Sequence, residues 1–71
     1  MELAADVPYF ITLENPGQYT GIAWYINGTK SAVTGSKLSL DTGKTGPAQV
    51  TVEAYKEGTV FDTGIFRFKV V

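Results

Sequence analysis

The feature that most constrains this chain is a series of short β-rich runs, each ended by glycine or proline. Eight glycines and three prolines punctuate the 71 residues. The runs recur at spacings of about 8–12 residues, which is typical of a β-sandwich or barrel. No run shows the spacing of apolar side chains that an amphipathic helix requires. The pattern therefore predicts an all-β domain with no helix.

Six strands are predicted from these runs, or seven if the first run divides or the edge strand bends. Apolar and polar side chains alternate within them, so one face of each strand is expected to be buried. Asn27-Gly28 predicts a two-residue type I′ hairpin turn, because both residues tolerate positive φ. A change of phase near Gly64 predicts a bulge or kink in the last run. The predicted strands cover residues 7–13, 20–26, 29–33, 37–41, 50–55 and 60–71.

The core has to be built from aliphatic and aromatic side chains. The chain contains neither cysteine nor histidine, which excludes disulfides and the usual zinc or haem ligation. Trp24 shares a face with Ile22 and Ile26 and is the predicted centre of the core. Its indole N–H then needs a hydrogen-bond partner. The polar strand that begins at Thr29 is expected at a sheet edge.

Three segments resemble the bacterial immunoglobulin-like and PKD-like domains of surface proteins and lipoproteins. They are Trp-Tyr-Ile-Asn-Gly at 24–28, Leu-Ser-Leu-Asp-Thr at 38–42 and Val-Thr-Val-Glu-Ala at 50–54. Trp24 matches the core tryptophan of strand C in that family. Ala48 stands where many of these domains have a tyrosine, so the tyrosine corner is absent.

The resemblance implies a small immunoglobulin-like antiparallel β-sandwich over residues 7–71, preceded by an N-terminal tail of residues 1–6. It implies a non-enzymatic spacer or adhesion domain of an exported bacterial protein, located at the cell surface or outside the cell. The expected partners are neighbouring domains of a larger chain, another protein or a polysaccharide. Residues 1–6 have neither the basic nor the apolar region of a signal peptide.

Catalytic chemistry is not predicted, and neither is a cofactor. The chain has no histidine, cysteine or Gly-x-Ser-x-Gly motif. Asp41, Glu53 and Asp62 are the residues considered for the paired acids of a glycosidase. Each of these is explained as a turn residue or as part of a solvated strand face. The segment Gly43-Lys44-Thr45 resembles the end of a phosphate-binding P-loop. The upstream glycine of that motif is replaced by Leu38, and no helix follows.

Metal, nucleic-acid and membrane binding are not predicted either. Glu14, Asp41 and Asp62 carry oxygen donors suited to calcium, but no Asp-x-Asp-x-Asp-Gly spacing gathers them. A net charge of −1 without basic runs does not suit a nucleic-acid partner. No apolar stretch approaches the roughly 20 residues that span a bilayer. Asn27-Gly28-Thr29 is a formal glycosylation sequon, which the hairpin turn already explains.

A surplus of aromatic side chains forms the candidate site. Tyr25, Tyr55 and Phe10 each fall opposite the main apolar face of their strand, and Tyr9 lies next to Phe10. Tyrosines exposed on adjacent strands can form a flat stacking surface for a sugar or a protein. Cross-strand pairing, at about 0.2–1 kcal/mol per pair, or contact with a neighbouring domain explains them as well and is favoured. The prediction is therefore an interaction module, with a small carbohydrate-binding module as the alternative.

Overall fold

Two β-sheets make up the computed structural model, which describes residues 1–71 and contains no α-helix. A single 3₁₀ turn covers Pro16–Gln18. This arrangement confirms the predicted all-β, sandwich-like class. The strands are β1 (Glu2–Leu3), β2 (Tyr9–Thr12), β3 (Gly21–Ile26), β4 (Thr29–Lys30), β5 (Lys37–Leu40), β6 (Gly46–Lys56) and β7 (Thr59–Val70).

The two sheets differ greatly in size. The larger has the strand order β1-β7-β6-β3-β4, and the smaller pairs β2 with β5. Strands β6 and β7 contain 11 and 12 residues, whereas β2 and β5 contain four each. A strand rises by about 3.3 Å per residue. The β6–β7 hairpin therefore spans most of the molecule, whose longest dimension is 39 Å. The smaller sheet covers only part of the inner face of the larger one.

The N-terminal segment belongs to the sheet, which corrects the predicted tail of residues 1–6. Glu2 and Leu3 pair in parallel with Lys69 and Val70, and the side chain of Leu3 is buried. This parallel pair also makes the larger sheet mixed, where an entirely antiparallel sandwich was expected. A strand of two residues is too short to produce a recognisable alternation, so the sequence pattern did not indicate it.

The core lies where the two sheets face each other. Trp24 is completely buried, and its Nε1–H donates to the carbonyl oxygen of Gly35 at 2.7 Å. This bond satisfies the predicted requirement for a partner. The predicted inward face of β6 is confirmed, because Val50, Val52 and Ala54 are all buried. The main core cluster consists of Leu3, Trp24, Leu38, Leu40, Val50, Val52, Phe68 and Val70.

Two tight turns join neighbouring strands. Asn27 and Gly28 have φ values of 50° and 85°, which agrees with the predicted type I′ geometry. Glu57 and Gly58 repeat this geometry between β6 and β7, with φ values of 53° and 80°. The Asn27 side chain also accepts a hydrogen bond from the backbone N–H of Gln49 at 2.9 Å, which ties the first turn to β6.

The irregularity in β7 lies at Phe61, and the prediction that placed a bulge near Gly64 is wrong in position. The register shifts so that Phe61 is left without a partner on β6. Gly64 has a packing role instead, since a Cβ there would lie 3.2 Å from Cγ1 of Val52. A glycine in a strand often marks such a close approach. The pairs on either side of the bulge are Ala54↔Asp62 and Tyr55↔Val60.

Several strand ends also differ from the prediction. Strand β4 ends at Lys30, where the run was expected to continue to residue 33. Strand β6 begins at Gly46, four residues before the predicted start of this strand at residue 50. Thr42 in the loop before β6 is buried, and its hydroxyl donates to the carbonyl oxygen of Val7 at 2.8 Å. This bond fastens the loop to the start of the smaller sheet.

Candidate interaction surface

Tyr25 and Tyr55 lie on the same outer face of the larger sheet. Strands β3 and β6 are neighbours, and their register places Ala23 directly opposite Glu53. Tyr25 is two residues from Ala23 on β3, and Tyr55 is two residues from Glu53 on β6. Since side chains two apart share a face, these four residues form one patch, called the tyrosine surface below.

The carboxylate of Glu53 holds the tyrosine surface together. The Tyr55 hydroxyl donates to Oε1 of Glu53 at 3.0 Å. The pKa values of Tyr25 and Tyr55 are both raised, first by hydrogen bonding to this carboxylate and then by burial and by its negative charge. The hydrogen bond to Glu53 thus orients Tyr55, and the carboxylate influences the titration of the tyrosines on both strands.

The tyrosine surface contains both apolar and polar groups. Ala23 is only 6% exposed although it faces away from the core cluster, so the larger side chains around it shield it from water. Tyr25 and Tyr55 are themselves half-buried. Lys30 of β4 lies opposite Tyr25 and is exposed, which adds a positive charge beside the patch. Such a surface can pack against apolar groups and can also donate and accept hydrogen bonds.

The other two predicted site residues lie elsewhere. Phe10 projects from the smaller sheet and is 54% exposed. Nζ of Lys37 lies 4.2 Å from its ring centroid, which is a cation–π arrangement. Tyr9 is half-buried and packs against the core cluster. The structure therefore brings together Tyr25 and Tyr55 and separates them from Tyr9 and Phe10.

A second polar and aromatic group lies near the Glu57-Gly58 turn. The Tyr19 hydroxyl donates to Oδ2 of Asp62 at 2.9 Å, and this hydrogen bond is the largest cause of a raised Tyr19 pKa. The centroid of the Phe61 ring lies 6.3 Å from that of the Tyr19 ring. Nζ of Lys56 lies 5.0 Å from the Phe61 centroid. Sequence reasoning missed this group because Tyr19 and Asp62 are 43 residues apart and in different elements.

The acidic residues considered as metal or catalytic groups are dispersed. No group of three or more acidic residues is placed to hold a metal ion. Asp62 is bonded to Tyr19, as described above. Asp41 Oδ1 accepts from the backbone N–H of Gly43 at 2.9 Å. That bond closes an Asx turn and accounts for the local structure of the Gly-Lys-Thr segment.

The clefts of the molecule are small. Two have volumes of ≈ 270 Å³ and a third has ≈ 190 Å³. Pockets for small molecules and cofactors usually have about 300–1,000 Å³. The shape of this molecule therefore favours recognition through an exposed face.

Comparisons of the chain with protein-family models, with curated proteins and with solved structures gave no match. The structure contains no helix of the length and apolar character needed to cross a membrane.

Proposed function

We propose that this chain is a non-enzymatic, immunoglobulin-like interaction module of an exported bacterial protein, acting in adhesion or presentation at the cell surface. The strand order is the observation that supports this most. The order β4-β3-β6-β7 corresponds to strands C′, C, F and G of a variable-type immunoglobulin sheet. The pairing of β2 with β5 corresponds to that of strands B and E. Trp24 then lies on strand C, where these domains carry their buried tryptophan.

The position of Val71 is consistent with presentation of the outer sheet face. Strand β1 pairs with the last residues of β7, and the Ala5 N–H donates to the carbonyl oxygen of Val71 at 3.0 Å. Val71 therefore lies at the end of the domain opposite the Glu57-Gly58 turn. A domain that followed Val71 would leave the turn and the outer sheet face accessible to a partner.

Carbohydrate binding is the second candidate, and the grouping of Tyr25, Tyr55 and Glu53 favours it. Aromatic rings can pack against the apolar faces of sugar rings, while a carboxylate accepts hydrogen bonds from sugar hydroxyls. In this candidate function the tyrosine surface binds a polysaccharide chain laid across the sheet.

Antibody labelling of the parent protein in its own cells tests the proposed location. An antibody raised against this domain should label intact cells as strongly as permeabilised ones. Labelling that requires permeabilisation would contradict an exported module, whatever the module binds.

A glycan array separates the two candidate functions. If the tyrosine surface binds sugars, Tyr25→Ala and Tyr55→Ala each abolish the signal. Phe10→Ala is the matched control, because this aromatic side chain is exposed on the smaller sheet. Absence of any glycan signal, or equal loss with all three variants, rejects carbohydrate binding and leaves the protein-interaction proposal in place.

A further inference from the structure

The Asn27-Gly28 turn contains a reactive pair of residues. The chain has two asparagines, and the other one, Asn15, is followed by Pro16, whose nitrogen has no hydrogen to release. Gly28 has an N–H without a side chain beside it, and a Cβ placed there would meet no atom within 4 Å. Asn27 and Gly28 are both exposed, so water reaches them. The turn therefore offers an unhindered amide nitrogen next to a side-chain amide.

These two groups can react with each other without a catalyst, which makes asparagine one of the thermolabile residues of proteins. The Gly28 nitrogen loses its proton and bonds to the side-chain carbonyl carbon, Cγ, of Asn27. The Cγ–Nδ2 bond breaks, and ammonia leaves with that proton, which produces a cyclic imide. Water then opens the imide. Attack at Cγ gives aspartate, and attack at the backbone carbonyl carbon gives isoaspartate, whose main chain runs through the former side chain.

Strand β6 holds the side chain of Asn27 away from this reaction. Oδ1 of Asn27 accepts a hydrogen bond from the backbone N–H of Gln49 at 2.9 Å. The N–H of Asn27 donates to the carbonyl oxygen of Gln49 at 2.8 Å. The side-chain carbonyl is thus directed towards Gln49. Ring closure has to turn Cγ onto the Gly28 nitrogen instead, so the hydrogen bond from Gln49 has to break first.

We propose that Asn27 is a site of covalent self-modification, converted to aspartate or isoaspartate when the β3–β4 hairpin opens at its turn. Strand β4 has only two residues, both exposed, and beyond them the Ser31 N–H donates to the carbonyl oxygen of Trp24 at 2.8 Å. A short edge element of this kind opens locally while the core stays folded. The rate of conversion therefore follows the fraction of molecules in which the turn is open.

The two products affect the hairpin differently. Isoaspartate adds a methylene group to the main chain, so the two-residue loop loses the geometry of a type I′ turn. Strand β4 then loses the turn that places Thr29 opposite Ile26. Aspartate keeps the main chain, and its carboxylate can still accept the Gln49 N–H. It adds a negative charge to the cleft that Asn27 and Arg67 line together, where the guanidinium attracts it. Isoaspartate thus loosens the sheet edge, whereas aspartate keeps it closed.

Mass spectrometry of proteolytic fragments measures the conversion in the natural chain. The protein is kept in mildly alkaline buffer, either folded or unfolded in guanidinium chloride, and the fragment that contains Asn27 is analysed over time. The folded chain is expected to react at least about tenfold more slowly, because two hydrogen bonds worth roughly fivefold each hold Asn27. Asn15 is the internal control and should stay unconverted in both states.

Two substitutions at Ser31 test whether opening of the hairpin limits the reaction. Ser31→Pro removes the N–H that donates to Trp24 and leaves the Asn27-Gly28 pair unchanged. Conversion should accelerate by about fivefold, as expected for the loss of one hydrogen bond. Amide hydrogen exchange of Gln49 should accelerate by the same factor, because it requires the same opening. Ser31→Ala is the matched control, since it removes the hydroxyl but keeps the N–H, and it should leave both rates unchanged.

Two results together support the proposal. They are slower conversion in the folded chain and, in Ser31→Pro, acceleration of the conversion together with the exchange of Gln49. Equal rates in the folded and unfolded chain overturn the hold by β6, and an intact Asn27 in both states overturns the site itself. Faster exchange of Gln49 with unchanged conversion overturns control by the hairpin. The comparison of the two states uses the natural chain, so it decides the proposal even if Ser31→Pro does not fold.

Discussion

The β6–β7 hairpin is one pair of strands, yet its two halves are buried to very different degrees. Near the chain ends, Phe68 and Val70 are 6% and 2% exposed. Towards the Glu57-Gly58 turn, Phe61 and Phe66 are 58% and 41% exposed. Apolar side chains occur in both halves, so composition does not explain the contrast. The half near the chain ends, called the covered half, lies under the smaller sheet and beside β1. The half near the Glu57-Gly58 turn, called the turn half, extends beyond both.

This contrast shows that the second layer determines burial in this fold. Phe66 and Phe68 are two residues apart on one strand and share a face, but only Phe68 belongs to the core cluster. The middle of the hairpin is covered by the segment after β2, where Leu13 and Tyr19 line a small groove with Ala54. Beyond that groove, Tyr19 and Thr20 contact the hairpin through hydrogen bonds with Asp62 and Glu57, but no strand of the smaller sheet covers it.

The largest expected effect comes from Trp24, at the centre of the covered half. Trp24→Ala should lower the free energy of unfolding by about 3–5 kcal/mol, because it leaves a cavity. A domain of this size is expected to have only about 4–10 kcal/mol in total. The variant should therefore lose about half of its stability and unfold at a much lower urea concentration, as circular dichroism can measure. Trp24→Phe keeps much of the apolar volume and should lose less. Equal losses for both variants would show that the Gly35 hydrogen bond matters more than the volume.

The sharpest test of the contrast is a matched pair of phenylalanine substitutions. Phe68→Ala should cost about 3–5 kcal/mol, as expected for a buried phenylalanine. Phe66→Ala should cost only about 1 kcal/mol, because much of its side chain stays in water in the folded state. Urea unfolding followed by tryptophan fluorescence measures both. Similar losses would mean that the turn half is covered in solution.

The sequence predicted the covered half better than the turn half, and the reason is physical. Strand alternation reports burial only where a second layer is present, so it located Trp24 and the inward face of β6 correctly. It could not show that β2 and β5 would be too short to cover the hairpin. The same limit applies to β1, whose two residues contribute to the core through Leu3 alone.

The tyrosine surface was predicted only in part, because alternation along one strand does not show which strands become neighbours. Alternation placed Tyr25 and Tyr55 on outward positions, and the pairing of β3 with β6 brings them together. It also placed Phe10 on an outward position. It did not show that this strand belongs to the smaller sheet, because sheet membership depends on the whole fold. The role of Glu53 depends on the register between strands, which no single run specifies.

A smaller effect should distinguish the two tight turns. Gly28 and Gly58 both have positive φ. Replacing either with alanine should cost roughly 1–2 kcal/mol locally, because a Cβ in this conformation crowds the backbone. Gly28→Ala should show this cost in global unfolding, because its turn is tied to Gln49 of β6. The Glu57 N–H also donates to Oγ1 of Thr20 at 2.9 Å, but the residues around this turn are exposed, so Gly58→Ala should show less in global unfolding and more in local opening. Amide hydrogen exchange of Lys56 and Thr59 should then accelerate. Unchanged exchange at these two residues would contradict independent opening of the turn half.

The smallest expected effects concern the tyrosine hydroxyls, which also differ between the two halves. The raised pKa values of Tyr25 and Tyr55 depend first on Glu53, and that of Tyr19 depends first on Asp62. In the unfolded chain a tyrosine titrates near pH 10. The folded state therefore retains protons that the unfolded state releases. The resulting stabilisation is complete below about pH 10 and is lost as the pH rises through the folded-state values.

Two isosteric variants separate these contributions. Glu53→Gln should lower the pKa values of Tyr25 and Tyr55 towards the ordinary tyrosine value and leave that of Tyr19 raised, because only the carboxylate charge and its acceptor strength are removed. Asp62→Asn should do the reverse. Titration of the tyrosine Cζ resonances by NMR resolves the individual hydroxyls. If Glu53→Gln also lowered the pKa of Tyr19, the two groups would be coupled through the hairpin, and the turn half would not behave as a separate region.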